Sequence, residues 1–255
     1  MRYRFALLVS LLALAWGQPQ SQMGNTQAGA QQSTPNMSMG EEPRNSDAAM
    51  SAMHSMEGTM NMGPHMKMTA VRPEQSGDAE RANQVAQEAR KVGEKYVDYH
   101  AALAAGFVIF HPEIPQKIYH FVNYGYAEEA AESFNPDHPT ALLYEKHDDD
   151  YKLVGVMYTA PRHFTEDELN RRIPLSIAQW HEHVNDCSPP PDQKNDLLTM
   201  HPHFGLRGSI ATKDACDAAG GVFHRVVFNW MVHVYPFEKD QAKIWSAERQ
   251  QVDGN

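Results

Sequence analysis

The sequence has no basic excess, few cysteines and, beyond its first 17 residues, no long apolar run. Its formal net charge is −10 at pH 7. Nucleic acid and anionic lipid are bound through clustered Lys and Arg, so neither is an expected partner. No later stretch approaches the roughly 20 apolar residues that a membrane-spanning helix needs. A Gly-x-Ser-x-Gly elbow, a phosphate-cradling glycine loop, a dinucleotide fingerprint and a haem-attaching Cys-x-x-Cys-His are absent, so none of those chemistries is signalled.

What is present begins with the pattern of a secretory signal peptide over residues 1–17. Arg2 and Arg4 form the charged start, an apolar run follows to Trp16, and Ala15-Trp16-Gly17 is a small-x-small cleavage site. The expected location is periplasmic or secreted, after cleavage near Gly17, and the mature charge is then −12, since Arg2 and Arg4 are lost. No cysteine follows the apolar run, so a lipid anchor is not signalled. Cys187 and Cys216 form one disulfide in an oxidising compartment; a thiolate pair on a metal is the competing reading. Closing a loop of about 30 residues contributes roughly 3–4 kcal/mol in the chain-entropy model.

Residues 18–77 are rich in Gln, Ser, Met, Gly, Asn and Pro and poor in large aliphatic side chains. Such a segment buries too little apolar surface to offset its ordering entropy and reads as a disordered tail. Nine of the chain's 14 methionines fall between Met37 and Met68, interleaved with His54 and His65. Thioether sulfur is soft and has no proton to lose, which suits Cu(I), and imidazole suits copper as well as zinc. Met53, His54, Met56, Met60, Met62, His65, Met66 and Met68 are therefore candidate ligands. Copper is the expected metal and zinc the alternative; a reversible oxidant sink is the non-metal reading of the same methionines.

Residues 78–250 read as a single domain. Ala82, Val85, Ala86, Ala89, Val92, Tyr96, Tyr99 and Leu103 recur at helical spacing, predicting one long helix from Asp78 as N-cap to Gly106 as stop. Short strands are expected at 107–110, 117–124, 140–146, 151–159, 176–185 and 226–235, with a hairpin turn at His147-Asp148-Asp149-Asp150. Short helices are expected at 127–134, 165–172, 212–219 and 240–247, the second opened by a Thr165/Glu168 capping box. The expected class is α+β: a long N-terminal helix packed on a mainly antiparallel sheet with short helices and one disulfide.

Twelve of the 14 histidines lie in this domain. In Trp180-His181-Glu182-His183, strand geometry puts His181 and His183 on one side and Glu182 on the other, whereas a helix would separate the two rings by about 200°. His201-Pro202-His203 sits in the loop that the disulfide closes. His120 and His233 lie on strand-like segments and are, singly, core histidines; with His181 and His183 they make a three- or four-ligand site. The disulfide suggests a register with residue 185 opposite 226. His233 then opposes Ala178, about 10 Å along the strand from His181, too far for sharing an ion.

Several segments resemble a group of exported bacterial proteins with no assigned activity. They are Tyr119-His120-Phe121-Val122-Asn123, Leu142-Leu143-Tyr144-Glu145, Leu153-Val154-Gly155-Val156, Trp180 to Asn185, and Trp230-Met231-Val232-His233-Val234-Tyr235. The resemblance implies no function. Three readings stand: an exported copper-binding protein with a Met/His-rich tail; a secreted mononuclear metalloenzyme built on His181 and His183; and a binding module for something other than metal. A metal ion is the expected partner, and no protein partner is indicated.

Overall fold

The computed structural model describes residues 63–246 and Arg249. Among them no helix is long and apolar enough to cross a membrane. The expected signal peptide and the ligands Met53, His54, Met56, Met60 and Met62 lie outside the described residues.

The organising element is one seven-stranded sheet. Its strands are β1 (Met66–Met68), β2 (Val108–Ile109), β3 (Tyr119–Val122), β4 (Ala141–His147), β5 (Asp150–Ala160), β6 (His181–Ser188) and β7 (Val222–Val234). Their order is β1-β6-β7-β5-β4-β3-β2, and every neighbouring pair is antiparallel. The helices are α1 (Asp78–Glu94), α2 (Tyr99–Ala104), α3 (Tyr124–Glu132), α4 (Glu166–Arg172), α5 (Lys213–Ala218) and α6 (Gln241–Ile244), with a 3-10 helix at Pro191–Leu198. The buried disulfide joins Cys187, near the end of β6, to Cys216 in α5.

This corrects the expected class. There is no long N-terminal helix on which the fold is organised; the sheet dominates, and the periodic stretch 78–106 is split. The cause is visible at one hydrogen bond. In a continuous helix the carbonyl of Tyr96 would accept from the amide of His100. Instead the buried Tyr144 hydroxyl donates to Tyr96 O at 2.6 Å, and His100 N donates to the Asp98 carboxylate at 2.9 Å. Asp98 thus caps a new helix, the role in which a short acidic side chain competes with helix continuation. The Asp78 position is also corrected: the N-cap is Gly77, and the Asp78 carboxylate accepts from Gln75 N and the Ser176 hydroxyl.

The two faces of the sheet have different chemistry. One carries the main core: Phe121, Leu142, Tyr144, Val156, Tyr158, Trp180, Trp230, Val232 and Val234 pack with the apolar stripe Ala82, Val85, Ala86 and Ala89 of α1. The other carries a smaller cluster, Ala141, Leu143, Met157, Met231 and Tyr235. Capping fixes the short helices locally. Thr165 and Glu168 form the reciprocal capping box, and Asn123, Thr212 and Asp240 accept from amides in the first turns of α3, α5 and α6.

Gly155 lets β5 approach β7 on the second face: a β-carbon there would lie 2.5 Å from the Val234 carbonyl oxygen. Backbone cannot give way as a side chain can. Gly155→Ala should therefore destabilise the fold by about 1–3 kcal/mol, read as a lower urea midpoint at unchanged m-value; an unchanged midpoint would contradict the close approach.

Candidate metal centre

Strand β1 belongs to a region whose composition reads as tail, yet it pairs with β6 as the sheet's edge. Its partners are Met66↔His183, Lys67↔Glu182 and Met68↔His181. Side-chain amides and backbone hold it there: Asn185 Nδ2 donates to Pro64 O, Val184 N to His65 O, Thr69 N to Trp180 O and Gln179 Nε2 to Thr69 O. Lys67 and Glu182 meet at 3.2 Å, and the Lys67 ammonium lies over the Trp230 ring. Their alternation with Met66, Met68, His181 and His183 turns those four side chains to the second face.

The β6–β7 register decides what else reaches that face. Val184 pairs with Val226 and His183 with Val227, but His181 pairs with Met231. One residue on β6, Glu182, therefore faces three on β7, a bulge of two extra residues at which Phe228 adopts φ 63°. A one-residue slip exchanges the faces of a strand. The register inferred from the disulfide alone is thus corrected, since Met231 and His233 fall on the side of His181. On β5, Met157 pairs with His233, and on β3, His120 pairs with Leu143.

Four of the sequence-derived histidines consequently come together. Ring centroids are 5.4 Å apart for His181 and His183, 5.1 Å for His181 and His233, and 5.3 Å for His120 and His233. His120 Nε2 and His233 Nε2 are 3.3 Å apart. Two imidazole nitrogens bound to one tetrahedral ion at about 2.0–2.1 Å lie roughly 3.3–3.4 Å apart, so this pair has ligand-like spacing. The same spacing also fits a hydrogen bond between two neutral rings.

His181 and His233 are buried, at 0% and 4% exposure, while His120 and His183 are partly buried. Burial holds the His120 and His183 rings down to about 4, with repulsion from His120 adding to the effect at His183. His233 is held well below the ordinary histidine value, first by burial and then by His181, His120 and His183. His120, His183 and His233 are thus neutral at pH 7 and each offers a lone pair, the state a metal requires. Nδ1 of His183 has no hydrogen-bond partner among the described residues.

Around the rings, Tyr235 Oη lies 3.3 Å from His233 Nδ1 and donates to Arg249 O at 3.1 Å. The Arg249 guanidinium sits 3.9 Å above the Tyr235 ring and pairs with Glu238 and Glu145. Phe228 packs edge-on against both His183 and Phe110.

Other predicted ligands lie elsewhere. His65 is buried with Nε2 2.8 Å from Gly208 O. His201 and His203 are exposed, and the His203 ring pairs with Asp196. The disulfide disposes of the thiolate-pair reading. Met231 and Tyr235 share the face of His233, as their period-two spacing in the sequence implies, whereas sequence reasoning missed Met157 as a neighbour of His233. It also missed Glu129 and His138, bonded at 2.6 Å with the His138 ring stacked on Tyr126.

Among the described residues, no group of three or more His, Cys, Asp or Glu side chains is arranged to hold a metal ion. The nitrogen pair at ligand-like spacing is His120 Nε2 with His233 Nε2, and the His181 and His183 rings and the four thioethers lie on the same face. Comparison with protein-family models, curated proteins and solved structures gives no match.

The histidines make stability depend on pH. Free in the unfolded chain they protonate near 6.5; in the fold His120 and His183 do so only near 4. The unfolded state binds more protons between these values, so stability is full above about pH 6.5 and falls as pH drops toward 4. Each ring should cost about 2 kcal/mol between pH 7 and pH 5. Urea midpoints at the two pH values test this, and His183→Gln should reduce the difference.

Proposed function

We propose that the chain is an exported metal-binding protein that handles copper, holding the ion on the His/Met face of its sheet. The Met/His-rich segment before β1 supplies accessory ligands. The observation that carries the reading is the 3.3 Å separation of His120 Nε2 and His233 Nε2, on a face where His181 and His183 add two more rings. Met66, Met68, Met157 and Met231 are the cross-strand neighbours of these histidines. Opposed side chains in an antiparallel pair have β-carbons about 4.5–5.5 Å apart, within reach for thioethers to join imidazoles on one ion. The signal-peptide pattern of residues 1–17 supports export.

The alternative with a specific observation behind it is a purely structural polar layer, in which one of the two Nε2 atoms donates to the other. A metalloenzyme reading needs an open coordination position in addition, and no feature of the face favours it over binding.

Full-chain protein, loaded with copper and dialysed, should retain about one equivalent at the face and more in proportion to the N-terminal methionines. His120→Gln with His233→Gln should weaken the face site by about 100-fold or more, since even residues that only orient a ligand cost 10–100-fold. Metal content and titration calorimetry read this, with near-UV circular dichroism checking the fold. Protein that binds neither copper nor zinc, or binds them equally well without the two histidines, would overturn the proposal in favour of the structural layer.

A further inference from the structure

We infer that the ion this face selects is a soft monovalent cation, Cu(I) with Ag(I) as its surrogate, in preference to Zn(II) or Cu(II). The inference rests on the metal-binding reading above and adds the charge and softness of the cargo.

The first ground is the donor set. His183 faces Met66, His181 faces Met68 on one side and Met231 on the other, and His233 faces Met157. Three of the four histidines therefore have a thioether directly across the strand. Thioether sulfur selects Cu(I), whereas zinc sites are built from thiolate, imidazole and carboxylate.

The second ground is charge. The donors on the face, imidazole and thioether, bring no negative charge. The carboxylates nearby are engaged with cations. Glu182 pairs with Lys67 on the opposite side of β6, and Glu145 lies near Arg249 at 3.9 Å. The desolvation cost of an ion grows with the square of its charge. A divalent ion entering a neutral, dry site thus pays about four times the penalty of a monovalent one without an anion to offset it.

The third ground is that the donors are dry. Met157 and Met231 are each 6% exposed, beside His181 and His233. Divalent ions commonly complete their shells with water or anionic oxygen, whereas Cu(I) is satisfied by few soft ligands.

The test uses full-chain protein in which Met50, Met53, Met56, Met60 and Met62 are changed to Leu, which removes the nearest competing thioethers. Histidine side-chain NMR signals of His120 and His233 are followed during titration with Ag(I), with Cu(I) under anaerobic reducing conditions, with Zn(II) and with Cu(II). Ag(I) and Cu(I) should shift both rings at about one equivalent. Met157→Leu and Met231→Leu conserve volume, so the fold should persist; each should weaken Ag(I) and Cu(I) binding about tenfold or more and leave Zn(II) unaffected. If Zn(II) or Cu(II) shifts the same rings at equal or lower concentration, or the Leu variants bind Cu(I) unchanged, the monovalent inference falls while the metal reading stands. If no ion shifts His120 or His233, both fall.

Discussion

The arrangement of the second face depends on the bulge between β6 and β7. Up to His183↔Val227 the two strands run in simple register, and at His181↔Met231 two extra residues of β7 have been taken up. The bulge displaces the rest of β7 along β6 by an even number of residues. It therefore keeps the facing of its side chains while moving His233 toward His181. Phe228 adopts a left-handed conformation at this point, which costs a bulky residue free energy. Its carbonyl accepts from Arg162 Nε, and its ring packs against Phe110 and His183, contacts that hold the unfavourable conformation.

The consequence is an interior layer that is unusual for a sheet. A core of aliphatic side chains would fill the same space with no polar atoms to satisfy. Four histidines instead place imidazole nitrogens in a dry environment, where an unsatisfied polar atom costs about 1–3 kcal/mol. Neighbouring contacts meet part of this cost: Tyr235 lies beside His233 Nδ1, and Arg249, Glu238 and Glu145 fix Tyr235 in turn. With the hydroxyl proton of Tyr235 directed to Arg249 O, a proton on His233 Nδ1 leaves its Nε2 lone pair turned toward His120. A residue held by the group behind it while its reactive nitrogen points at a second histidine is the arrangement by which outer groups orient a metal ligand.

Much of this could be read before the structure, where the cause was local. The turn at Asp148-Asp149, the capping box at Thr165 and Glu168, and the shared side of His181 and His183 follow from short-range geometry, and the Cys187–Cys216 bond from the cysteine count and export signal. The misses were non-local. Nothing in the sequence near Tyr96 says that the hydroxyl of Tyr144, far along the chain, will take its carbonyl and help end the helix. Composition alone assigned Met66 and Met68 to the tail, because a three-residue edge strand has no core signature of its own and is defined by its partner. The bulge, on which the approach of His233 to His181 depends, leaves no residue pattern that distinguishes it from a regular strand. It was enough to put His233 out of reach on paper and beside His181 in the fold.

The central claim is that imidazole and thioether from this face bind one ion together. X-ray absorption at the copper edge, on the full chain loaded with one equivalent of Cu(I) after the N-terminal methionines 50–62 are replaced by Leu, tests it most directly. The account predicts a first shell that mixes nitrogen at about 2.0 Å with sulfur at about 2.3 Å, together with the outer-shell scattering of imidazole rings. A shell of oxygen and nitrogen alone, or one without imidazole scattering, would contradict it.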